Sequence, residues 1–97
     1  MDEATYSRLC VRSDIFKALG HPARLFIVEQ LADGEKCVQE LTEKLDVDVS
    51  TVSRHLSVMK HTGIVNGDKR GNKVFYSINV PCIMNFMSCI EAVIEQR

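Results

Sequence analysis

Residues 38–62 place two amphipathic helical patterns back to back with room for only a tight turn between them. No other stretch restricts the fold as strongly. In CVQELTEKL, Val38, Leu41 and Leu45 recur at i, i+3 and i+7, one face of a helix of about two and a half turns. Asp46 to Val49 form the linker. Ser50 can cap a longer helix, TVSRHLSVMKHTG, whose inward positions are Val52, Leu56 and Met59 and which Gly63 closes.

The flanking segments complete the order. On the amino side, Tyr6, Leu9, Ile15, Phe16 and Leu19 give a helical pattern over residues 4–19, ended by Gly20. Pro22 suits a first helical turn, and Leu25, Ile27, Val28 and Leu31 carry the next helix until Asp33-Gly34 stops it. On the carboxyl side, Ile64-Val65, the polar turn NGDKRGNK and Val74–Ile78 read as a β-hairpin with a basic, Gly-containing tip. Asn79 and Pro81 then open a last helix that runs to about residue 96. A single domain over residues 1–97 is expected, mainly α with a small hairpin, in the order α-α-α-α-β-β-α.

Charge narrows the partner. The net charge is −1, which argues against crude polyelectrolyte binding, but its distribution is uneven. Residues 1–53 hold six Lys/Arg against ten Asp/Glu, a net of −4; residues 54–73 hold five against one, a net of +4; residues 74–97 hold one against two. The basic stretch coincides with the longer of the two back-to-back helices and the hairpin that follows it. That combination is winged helix-turn-helix organisation, with a recognition helix at about 50–62, a wing at about 64–78 and outer helices at about 4–19 and 80–96. With Val52, Leu56 and Met59 turned inward, Thr51, Ser53, Arg54 and Ser57 point out, with Ser50 at the amino end. Small hydroxyl residues permit close approach to a DNA groove, and arginine can pair with guanine or contact phosphate. Lys69, Arg70 and Lys73 on the hairpin tip can reach neighbouring phosphates.

The last helix calls for a second copy. Ile83, Met87, Ile90 and Ile94 form one apolar stripe, and Cys82, Phe86, Cys89 and Val93 an adjacent one. A helix apolar over more than half its circumference must be covered on two sides, and a chain of 97 residues offers little for the second. A homodimer is expected, with Tyr6, Leu9 and Cys10 of the first helix contributing. It would bind a pseudo-palindromic site.

HPARLFIVEQL, EKCVQEL, STVSRHLSVMKHTGIV and GNKVFYSI together resemble the ArsR/SmtB family of winged-helix, metal-sensing repressors. The resemblance runs continuously over roughly residues 14–80, and STVSRHL followed by the wing is its most specific part. It implies a homodimer that binds double-stranded operator DNA, represses transcription and lets go when an inducer binds. It also matches Ser50, Thr51, Ser53, Arg54 and His55 to the family's recognition-helix contacts; His55 is either a phosphate contact or a helix-surface histidine.

Four cysteines remain: Cys10, Cys37, Cys82 and Cys89. Cys10 and Cys89 lie on apolar faces and can simply pack. Cys37 and Cys82 are expected in first helical turns, where free N–H groups favour the thiolate. By resemblance, Cys37 matches the first cysteine of the family's C-V-C metal box, whose other positions hold Gln39 and Thr42 here. The family's carboxylate–histidine zinc positions fall on Val80, Cys82, Val93 and Gln96. Cys82 and Cys89 share a helix face but stand roughly 10.5 Å apart along it, too far for one ion with Zn–S bonds of about 2.3 Å. A pairing between protomers, or with Cys37 or Cys10, is left open.

Thiolate-only ligation favours a soft species, so the expected inducer is trivalent arsenic or antimony, with no obligatory cofactor. A thiol-redox switch in the same fold is the alternative, and a winged-helix protein-interaction module a third. His21, His55 and His61 fit no nucleophile–base pairing, so an enzyme is not expected. The opening MDEATYSRLC lacks the apolar core of a signal peptide, and no apolar run is long enough to span a membrane. A cytoplasmic location is expected, where the thiols would be reduced.

Overall fold

The computed structural model describes residues 1–97. Five helices and a three-stranded antiparallel sheet follow in the order α1 (Glu3–Leu19), α2 (Pro22–Leu31), β1 (Lys36–Cys37), α3 (Val38–Leu45), α4 (Val49–Thr62), β2 (Val65–Arg70), β3 (Lys73–Ile78) and α5 (Ile83–Glu95). This is a winged helix-turn-helix fold. The sheet order is β1-β3-β2, with Cys37 opposite Phe75 and Val65 opposite Ile78.

Helix ends follow local chemistry. Asp2 caps α1 by accepting the Thr5 N–H at 2.7 Å, and His21 caps α2 by accepting the Ala23 N–H at 3.0 Å with Pro22 behind it. The turn between α3 and α4 is made by Asp46, which takes a left-handed conformation (φ 56°) while its N–H donates to the Thr42 carbonyl. Gly63, at φ 90°, ends α4 in a conformation that a side chain would strain.

The core is assembled by the middle of the chain. Ile27, Val28 and Leu31 of α2, Leu41 of α3, and Val52, Leu56 and Met59 of α4 pack with Ile64, Val65 and the last turn of α1, Ala18-Leu19. All three inward positions expected on α4 are fully buried. By contrast, α1 before Ala18 and the whole of α5 contribute no fully buried residue. Ile83, Met84 and Met87 only lean on the core, and Phe16 meets Phe86 edge to face at 5.4 Å. The radius of gyration is 14.8 Å, against about 12.5 Å for a compact domain of this length. The molecule is elongated, 48 Å in its longest dimension against 22 Å in its shortest.

Three expectations need correction. The two-residue strand β1 joins the wing sheet, so the strand count is three rather than two. Asp48, not Ser50, caps α4, because its carboxylate reaches the Thr51 N–H at 2.7 Å; Ser50 lies in the first turn and donates its hydroxyl to the same carboxylate. The last helix begins at Ile83, since residues 79–82 form a turn closed by short bonds from Ile83 N–H to the Val80 carbonyl and Met84 N–H to the Pro81 carbonyl. Cys82 and Cys37 therefore stand just before their helices and not within the first turns.

Candidate nucleic-acid interface

The outward face of α4 is set by its core side. With Val52, Leu56 and Met59 buried, Ser50, Arg54 and Ser57 are exposed and Thr51 and Ser53 half-exposed, so these five hydroxyl and guanidinium groups share one surface. Asp48 fixes the start of that surface. Its carboxyl is held below the usual aspartate range by hydrogen bonds from the Thr51 side chain and backbone N–H and from Ser50, with Arg54 adding attraction.

His55 is placed differently from its neighbours. Its half-buried ring turns toward the start of α2, lies against the His21 ring with centroids 4.5 Å apart and planes tilted by 50°, and accepts a hydrogen bond at Nδ1 from Arg24 Nε at 3.1 Å. Burial holds its pKa below the ordinary 6.5, and the charges of His21, Arg24 and Arg54 push the same way. The imidazole edge that a phosphate would approach is thus partly committed within the chain.

The wing presents its cations unequally. Antiparallel pairing carries β2 and β3 out to Arg70 and Lys73, leaving only Gly71-Asn72 as the turn; Gly71 takes φ 63°, as a two-residue hairpin requires. Lys69 and Lys73 are exposed and enter no ion pair. Arg70 does: its guanidinium meets both oxygens of Glu35 (Nη2–Oε2 2.7 Å), donates from Nε to Asp68 at 2.9 Å, and lies over the Phe75 ring at 4.9 Å. In return Arg70 holds the Glu35 carboxyl below its ordinary value. The tip therefore offers two free cations rather than the three expected. Nothing in the spacing of residues 35 and 70 announces this pairing; only the sheet brings them together.

The cysteines are dispersed. Cys37 is buried, at 4% exposure, behind the β1–β3 pairing, and its backbone N–H donates to Glu40 at 3.1 Å; Cys10, Cys82 and Cys89 are exposed. No three His, Cys, Asp or Glu side chains come together as a metal-sized cluster within one chain. The three exposed thiols lie on or beside α1 and α5, the helices whose apolar residues Tyr6, Leu9, Phe16, Ile90, Val93 and Ile94 are also exposed. No helix is long and apolar enough to cross a membrane.

Comparison with known proteins agrees with this arrangement. A family model described as bacterial regulatory protein, arsR family, matches residues 21–67, from the α2 cap to the first half of the wing. The HTH-type transcriptional repressor SmtB of Mycobacterium tuberculosis is 38% identical over 65 residues, which are 67% of this chain and 48% of that protein; the chain matches about half the length of that relative. The HTH-type transcriptional regulator Rv0081 of the same species is 32% identical over 87 residues, 89% of this chain and 76% of that protein. Its crystal structure superposes with a TM-score of 0.82, covering 98% of this chain and 93% of that one at 30% identity. The NMR structure of the homodimeric winged helix-turn-helix DNA-binding domain Mb0332 from Mycobacterium bovis gives a TM-score of 0.85 over 99% of this chain and 89% of that one. At 23% identity that last likeness speaks for the fold.

Proposed function

The chain belongs to the arsR family of bacterial regulatory proteins, a family of transcriptional regulators and not enzymes, and from that premise we propose that it is a homodimeric, DNA-binding repressor that reads its operator with α4. The observation that carries this reading is the polar face of α4. Ser50, Thr51, Ser53, Arg54 and Ser57 lie together beside a wing bearing free Lys69 and Lys73, in a protein whose net charge is −1. Arg54 and the hydroxyls read base edges in the major groove; the two lysines hold phosphates. Arg70 shapes the wing through Glu35 and Asp68 and joins the DNA only by exchanging those partners.

The homodimer forms through α1 and α5. Their apolar faces are exposed in the single chain, and a groove of about 510 Å³ between α1, α2 and α5 is lined by Phe16, Leu19, Leu25, Met87, Ile90 and Ile94. Two α4 helices related by a two-fold axis read two half-sites of a pseudo-palindrome.

The inducer is a thiophilic species, trivalent arsenic or antimony first. Support comes from the dispersal of the thiols. Since one chain gathers no ligand cluster, Cys82, Cys89 and Cys10, exposed beside the faces where protomers meet, complete a site only between chains. Cys37, buried, is the least accessible of the four. The same exposure favours a second reading in which these thiols are oxidised to a disulfide or persulfide and the dimer rearranges.

The test starts from a duplex selected by the protein from a random-sequence library, since the operator is not known beforehand. Under reducing conditions arsenite should release the protein from that duplex, and the Cys82→Ser and Cys89→Ser variants should resist release. Release by oxidant alone, reversed by a dithiol, supports the redox reading. Retention in excess arsenite and oxidant excludes both inducers. Failure to select any duplex excludes the repressor itself.

A further inference from the structure

Arg24 is the one side chain hydrogen-bonded both to the carboxyl end of α1 and to α4, which also meet in the core. From the first turn of α2 its Nη1 donates to the carbonyls of Ala18 at 3.2 Å and Lys17 at 3.4 Å, while its Nε donates to His55 Nδ1 at 3.1 Å. The two carbonyls belong to the last turn of α1, at the negative end of the helix dipole; the Lys17 carbonyl also accepts the Gly20 N–H at 3.2 Å. A planar guanidinium can serve both directions at once; an ammonium cannot.

Every group facing His55 is basic. His21, whose ring lies tilted against it, caps α2 through Nδ1; Arg24 donates from α2; Arg54 is its neighbour on α4; and α1 contributes only the carbonyls that Arg24 already holds. Neither ion pair of the protein involves any of them. His55 must be neutral, with its proton on Nε2, for Nδ1 to accept from Arg24.

We propose that Arg24 is a positioning residue for DNA reading: it locks the rotation of α4 to the end of α1 through neutral His55, and the lock opens when Nδ1 takes up a proton. A protonated Nδ1 becomes a donor facing a donor, the Arg24 bond is lost, and the cations at Arg24 and Arg54 repel the new charge. Because α1 carries exposed apolar residues, the lock also gives the dimer face a direct polar connection to the reading face. The inference rests on α4 being the DNA-reading helix, so one arm of its test does without DNA.

In the free protein, a pH titration followed by imidazole and amide ¹⁵N NMR should move the amides of Lys17 to Gly20 with the His55 midpoint in wild type, and not in Arg24→Gln. Amides at the end of α1 that ignore the titration of His55 overturn the inference. In the DNA arm, wild-type affinity for the selected duplex should fall about tenfold, or roughly 1.4 kcal/mol, from about pH 7.5 to about pH 5.5. That loss is opposite in sign to the gain expected when exposed histidines simply add positive charge. His55→Gln, which can accept from Arg24 but cannot titrate, should flatten the profile. Arg24→Gln should be weak at both pH values, and Arg24→Lys should not restore binding. Restoration by Arg24→Lys, or an unchanged acid profile in His55→Gln, overturns the inference. If no duplex can be selected at all, the repressor reading fails, and the NMR arm still decides whether α1 and α4 are locked.

Discussion

Replacing Ile90 and Ile94 together by alanine should dismantle the dimer while leaving each protomer folded. The two residues stand one turn apart on α5 and are 42% and 45% exposed in the single chain. Full burial of such a side chain contributes about 2–3 kcal/mol, so covering the exposed remainder contributes about 1 kcal/mol for each. A two-fold interface counts both residues twice, for a total of roughly 4 kcal/mol, or about a thousandfold in the dimer dissociation constant. Neither residue belongs to the buried core, and alanine is the better helix former, so far-UV circular dichroism of the variant should match wild type. Sedimentation equilibrium over a wide concentration range reads the result. A wild-type protein that stays monomeric, or a double variant whose dissociation constant moves by less than about threefold, would refute the assignment of α1 and α5 as the dimer face.

Further outcomes follow from other parts of the structure. Leu56→Ala, at a fully buried position of α4, should cost about 2–5 kcal/mol and lower the thermal midpoint in a calorimetric scan by at least 10 °C or so. The carboxyls of Asp2, Glu35, Glu40 and Asp48 all lie below their ordinary values of 3.8 for Asp and 4.5 for Glu. The unfolded chain therefore binds protons first, and stability is present above those values and lost as pH falls from about 4.5 downward. Denaturant melts across pH 2–6 should show this loss, with a shallower slope in Asp48→Asn. On the wing, Lys69→Gln and Lys73→Gln should each reduce the log–log salt slope of DNA binding by about 0.9, whereas Arg70→Gln should leave it unchanged. Glu35→Gln combined with Asp68→Asn, which removes both carboxylate partners of Arg70, should steepen it.

Much of the architecture could be read from residue spacing because its signals are local. The three helices that build the body announced themselves through apolar periodicity, and Gly63 and Pro22 marked their ends. What escaped was set by contacts between distant segments. Lys36-Cys37 is too short to carry a strand signal and becomes one only because β3 offers it an edge. Asp48 and Ser50 are both good caps, and the choice between them depends on where the Asp46 turn leaves the backbone. At the candidate interface the outward face of α4 followed directly from its buried face. The pairing of Arg70 with Glu35 and of His55 with Arg24 links residues 35 and 31 positions apart, and each removes a polar group that the sequence alone presents as free. Cys37 matches the first cysteine of the family's metal box, yet the β1–β3 pairing buries it.

The measurement that bears most directly on the whole account is the affinity of Arg54→Ala for the selected duplex and for a scrambled one of the same length. Arg54 is exposed on the reading face and takes no part in the core, so the variant should remain folded and dimeric. Its affinity for the selected duplex should fall by about 1–3 kcal/mol, while binding to the scrambled duplex changes little. Equal losses on both duplexes would reduce Arg54 to a phosphate contact, and undiminished specific binding would contradict α4 as the reading helix.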